Sequence, residues 1–140
     1  MKQSDIFWPM IAQVLLTLVV AVRMYHVRVT ELRTKRIRPQ TLATSRGAAS
    51  LENVAAADNF RNLFEIPVLF FAICPTLYVT HGVTPVQLVL AWAFVASRIS
   101  HSFIHITYNR VMHRFRVFVL SMMIVFAMWG VFAIHLWGDV

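Results

Sequence analysis

From Ile6 to Val22 the chain carries no charged residue, and three further apolar stretches follow, at about 53–80, 84–106 and 112–137. At ~1.5 Å per residue, runs of this length approach or match a ~30 Å hydrocarbon core. Soluble chains are ~45–50% apolar and ~25% charged. This one is 59% hydrophobic and 14% charged, with a mean hydropathy of +0.65. Backbone polar groups in lipid must bond within the protein, and apolar runs of this length do so as helices. The expected fold is all-α, an integral membrane four-helix bundle. One domain over 1–140 is expected, with helices near 6–27, 53–80, 84–106 and 112–137.

The first run lacks a strong basic leader and a small-residue cleavage pattern, so it reads as a retained helix and not a signal peptide. The connection from Arg28 to Leu51 is long and basic, with Pro39 and the small-residue tract from Thr44 to Ser50. His81-Gly-Val-Thr-Pro85 and Thr107-Tyr-Asn-Arg-Val111 are short turns. Of the 13 Lys and Arg residues, Lys2 alone falls on the face of the second connection. The positive-inside rule therefore makes the first and third connections cytoplasmic. The net charge of +7 does not point to nucleic acid, because the basic residues flank apolar spans. Lipid phosphate is the expected neighbour of the first connection. Cys74, the single cysteine, lies in an apolar run and reads as a small core residue.

The second run is uncharged only from Ile66 to Thr80, about 22 Å of helix. Glu65 and Arg61 must then sit at the bilayer edge or inside it, where ionisable groups are functional candidates by default. Asp58, Arg61, Asn62 and Glu65 share one helical stripe by spacing. Arg98, His101, Ser102, His105 and Asn109 share a face of the third run, and Arg110, His113 and Arg114 open the fourth. Counting outward from the two turns brings Glu65 level with His101, and Arg61 level with His105 and Arg114. Arg61, Arg98 and Arg114 facing Glu65 suit a zwitterionic ligand with more than one carboxylate. Pro67 deprives the Leu63 carbonyl of its helical donor, and Pro75 does the same to Phe71, so kinks are expected.

Other readings of these residues stay open at this level. Arg61 and Glu65, four apart, can form an intrahelical pair, and Glu65 with Arg98 an interhelical staple. His101 and His105 have metal-ligand spacing, with Glu65 a third candidate. No His-Glu-x-x-His pattern or cysteine pair accompanies them, however, and arginines repel a cation, so no metal is expected.

Phe60-Arg61-Asn62-Leu63-Phe64-Glu65-Ile66-Pro67 resembles the Arg-Asn-x-x-Glu core of the membrane-associated proteins in eicosanoid and glutathione metabolism, the MAPEG superfamily. Arg98-Ile-Ser-His101-Ser-Phe-Ile-His105, followed by Asn109 and Arg114, resembles its second marker. The resemblance covers nearly the whole chain and implies a homotrimer of four-helix subunits. It further implies that glutathione, as co-substrate, lies between subunits near the cytoplasmic face. Arg61, Asn62 and Glu65 would contact the tripeptide, with His101 and His105 on the facing wall. Arg114 matches the arginine that activates the glutathione thiol, a neighbouring guanidinium favouring the nucleophilic thiolate. The chain departs from well-studied eicosanoid enzymes at Asp58, where they have arginine, and at His105 and Phe118, where they have tyrosine. The short architecture resembles bacterial members, which implies a bacterial inner membrane. The expected activity is a glutathione-dependent transferase or peroxidase acting on lipophilic electrophiles in the membrane. The alternative is a non-catalytic protein of the same fold whose polar stripe staples the oligomer.

Overall fold

The computed structural model describes residues 2–38, 40, 43–44 and 54–138. A 3-10 turn over Gln3–Ile6 leads into α1 (Phe7–Thr34). After the first connection come α2 (Ala55–Asn62), α3 (Pro67–Val79), α4 (Pro85–Ile106) and α5 (Val111–Gly138). Four segments are long and apolar enough to cross a membrane, α2 and α3 together making one of them. Most of the small-residue tract in the first connection lies outside the described residues.

Two boundaries differ from the sequence reading. α1 continues beyond residue 27 to Thr34, its basic end helical and held by a Glu31–Lys35 ion pair of 3.1 Å one turn apart. It stops at Arg36, in the left-handed region at φ 52°, where the Ile37 amide donates back to the Leu32 carbonyl at 3.0 Å. The second apolar stretch is two helices rather than one kinked helix. The amides of Leu63 and Phe64 turn back three residues, to Phe60 and Arg61, which tightens and ends α2. Pro67, with no N–H to give, then starts α3 at its first position. Pro75 causes no second interruption, since α3 runs through it.

The turn between α3 and α4 is held from both sides. His81, at φ 55°, ends α3, and Gly82 donates to the Leu77 carbonyl at 2.9 Å. The Thr84 hydroxyl accepts from the Gln87 amide at 3.2 Å, with Pro85 in the first position of α4. Gln3 reaches across to this turn, its amide pairing with both the N–H and the C=O of Val83 at 3.0 and 3.4 Å. This contact sets the depth of α1 against the bundle.

Apolar burial between helices gains little in lipid, so packing and interhelical bonds must hold the bundle. Phe70 stacks on Phe94 with ring centroids 4.5 Å apart, among Ile73, Cys74, Leu77, Val95, Val125 and Met128. Gln87 donates to the Met128 carbonyl at 2.9 Å, and Trp129 to the Leu69 carbonyl at 3.3 Å. Trp129 thus serves the interior. Outward-facing Ile11, Leu15, Leu18, Val22, Met123, Phe126 and Ile134 form the apolar exterior that lipid requires. The protein is an integral, multi-pass membrane protein.

Candidate functional site

The break between α2 and α3 shapes the site. Once α2 has ended, the Asn62 carbonyl is free of the helical ladder and accepts from Arg98 Nη2 at 2.9 Å. Arg98 is 0% exposed. Its Nη1 donates to the Ser121 hydroxyl at 3.4 Å, and its guanidinium lies 5.9 Å from the centre of the Phe118 ring. The guanidinium thus bolts the α2 end to α4 and α5. Asn59 repeats the pattern one turn earlier, its side-chain oxygen accepting from Ser102 at 3.1 Å.

Beside this bolt opens a cleft of about 200 Å³. Asn62 and Glu65 form one wall and His101 the floor, while Val111, Arg114, Phe115 and Phe118 of α5 form the other wall. His101 is 2% exposed, and neither ring nitrogen has a hydrogen-bond partner among the described residues. A buried polar group so placed is costly unless something bonds to it. Arg114 Nη1 donates to His105 Nε2 at 3.0 Å and to Asn109 Oδ1 at 3.0 Å. Arginine has no acceptor, so His105 Nε2 carries the lone pair and the ring proton sits on Nδ1. The cleft is below the ~300–1,000 Å³ of pockets that enclose a ligand.

Of the residues singled out from sequence, Asn62, Glu65, His101 and Arg114 meet at the cleft. His105 stands behind Arg114 and touches it, as the depth count anticipated. Arg98 is sealed beneath the cleft and does not line it. Arg61 is exposed and is not a lining residue. Among the described residues no ion pair joins Glu65 to Arg61 or to Arg98. The single stripe from Asp58 to Glu65 does not form, because the chain leaves the helix after Asn62 and Glu65 lies in the break. That also removes the four-residue geometry an Arg61–Glu65 pair needs. No group of three His, Cys, Asp or Glu suited to a metal occurs among the described residues.

Three contributors were not recognised as site residues from sequence. Phe115 and Val111 bring an apolar wall, and their signal was only their proximity to Arg114. Asn109 was noted as part of a motif, without a role. Asparagine in a short turn after a helix is a common left-handed residue, and here it has φ 45° with its amide bonded to the Ile104 carbonyl at 2.8 Å. That conformation delivers its side chain to Arg114. Phe118, which cannot hydrogen-bond as a tyrosine would, instead lays its ring against Arg98 and 6.1 Å from that of His101.

Comparison with curated proteins gave no match, and comparison with solved structures gave none. A family model, that of the MAPEG family, matches residues 6–134, a span that contains every residue lining the cleft. The chain therefore belongs to the MAPEG family, membrane proteins of eicosanoid and glutathione metabolism.

Proposed function

We propose that the protein is a glutathione-dependent transferase or peroxidase acting on lipophilic electrophiles dissolved in the bilayer. The observation that carries this reading is the two-sided cleft. Asn62, Glu65, His101 and Arg114 offer bonds to a zwitterion, while Val111, Phe115 and Phe118 continue into the lipid-facing surface. Glu65 suits the ammonium group, and the Arg114 guanidinium suits an anion. Two arms of Arg114, Nε and Nη2, have no partner among the described residues and remain for the ligand.

In this reading Arg114 holds the sulfur as thiolate. The thiol proton leaves to water through the open mouth, and the sulfur lone pair bonds to an electrophilic carbon as that carbon's bond to its leaving group breaks. With a hydroperoxide it bonds to the outer oxygen as the O–O bond breaks, the alkoxide takes a proton from water, and a second glutathione thiol reduces the resulting sulfenic acid to the disulfide and water. The cleft is small for a tripeptide, and in this reading a neighbouring subunit completes it in a homotrimer, where exposed Arg61 meets the tripeptide across the interface. The basic end of the bundle faces the cytoplasm of a bacterial inner membrane, so glutathione enters from that side and the electrophile from lipid.

Titration of the detergent-purified protein with glutathione, following thiolate absorbance in the ultraviolet, tests the proposal. Binding with a thiolate signal that disappears in Arg114→Ala is the expected result. Absence of binding at millimolar glutathione refutes it. The exposure of Arg61 and Glu65, without ion-pair partners inside the described subunit, favours a second reading. There the polar residues staple an oligomer with no catalysis, and Arg61→Ala or Glu65→Ala dissociates it.

A further inference from the structure

The α4–α5 turn is built around one end of one guanidinium. Arg114 Nη1 carries two protons, and the two acceptors at 3.0 Å, His105 Nε2 and Asn109 Oδ1, use both. Both acceptors are themselves held. His105 is 3% exposed in the last turn of α4, and Asn109 is fixed by its left-handed backbone and its bond to Ile104. A long arginine side chain otherwise samples many rotamers, and freezing it costs conformational entropy.

We infer that Asn109 and His105 are positioning residues that dock the Nη1 end of Arg114 and turn its Nε–Nη2 edge toward the cleft. That edge presents two parallel N–H groups to a single anionic atom or to a carboxylate. The role deepens the glutathione reading and rests on it for the identity of the anion. It also gives His105 a task different from ligand contact. As a neutral ring it supplies the acceptor that a second guanidinium or an imidazolium in its place would lack.

Three variants separate side chain from backbone. Asn109→Gly removes the amide yet tolerates φ 45°. Asn109→Asp keeps the acceptor. His105→Phe keeps a ring without one. Two readouts are taken on the full chain in detergent: thiolate absorbance at fixed glutathione, and the rate at which phenylglyoxal modifies Arg114, resolved by mass spectrometry. Dicarbonyls bridge both terminal guanidinium nitrogens, so a docked Nη1 retards them.

Asn109→Gly and His105→Phe are expected to lower the thiolate signal about tenfold, the loss of one hydrogen bond to a charged group. Both should also accelerate Arg114 modification, and Asn109→Asp, which keeps the acceptor, should restore the slow modification. Wild-type values of both readouts in Asn109→Gly and His105→Phe overturn the inference. If the wild type itself forms no thiolate, the glutathione reading fails, and the modification rates alone decide the docking: faster in the variants upholds it, unchanged overturns it.

Discussion

Gln13 is the sharpest energetic oddity of the bundle. Ten residues beyond Gln3, which is tied to Val83 at the α3–α4 turn, it lies about 15 Å into the membrane along α1. It is 0% exposed, and neither its amide nitrogen nor its amide oxygen has a hydrogen-bond partner among the described residues. Burying an unbonded amide costs about 1–3 kcal/mol on the scale of protein mutations. Methionine is unbranched and of similar length, so Gln13→Met keeps the packing within about 1 kcal/mol and removes the whole polar penalty. Rotamer entropy is similar for the two side chains and cancels. The expected outcome is a gain of about 1–2 kcal/mol in stability. Reversible unfolding by dodecyl sulfate in mixed micelles, followed by far-ultraviolet circular dichroism, measures it. A loss of 1 kcal/mol or more in Gln13→Met would refute the reasoning. It would mean that the amide is bonded in the membrane, to water or to another molecule, and that the polar group is retained for that bond.

Cys74, buried in the apolar core, should resist maleimide in the folded protein and react once dodecyl sulfate unfolds it; rapid labelling of folded protein contradicts its position. Arg98→Lys keeps the charge but loses the planar fork that reaches both Asn62 and Ser121, so unfolding free energy should fall by about 1–3 kcal/mol in the same micelle assay. Pro67→Ala returns an amide to the Leu63 carbonyl and allows the second span to heal into one helix. Asn62 should then leave the cleft, and the thiolate signal with glutathione should fall while helicity rises slightly.

Much of the membrane architecture could be read along the chain. Its turns show why: Thr84-Pro85 announces the start of α4, and the uncharged runs announce spans, because both signals are local and depend on single helices. The α2–α3 break was half legible. Pro67 foretold a freed carbonyl, but a proline alone permits either a kink or a full interruption. The carbonyl that acquired a new partner is that of Asn62, not Leu63, and the partner comes from another helix 36 positions away.

The cleft was legible to the extent that depth along a helix can be counted. Equal counts from the turns brought Glu65 to His101 and His105 to Arg114, since rise per residue is constant. Counting says nothing about rotation around each axis. That is why Arg98, expected in the site, turned inward to become the bolt beneath it, and Arg61 turned outward.

Sequence by itself determined an all-helical membrane protein with four crossings and a polar cluster at its basic end, because hydropathy, charge and helical rise are properties of the chain. Only the tertiary structure decided which of those polar groups face the cleft, that Asn109 holds Arg114 from behind, and that Arg114 arrives with one end already bonded. Those outcomes depend on the mutual rotation of packed helices and on backbone groups released at a break, which no spacing along one helix encodes.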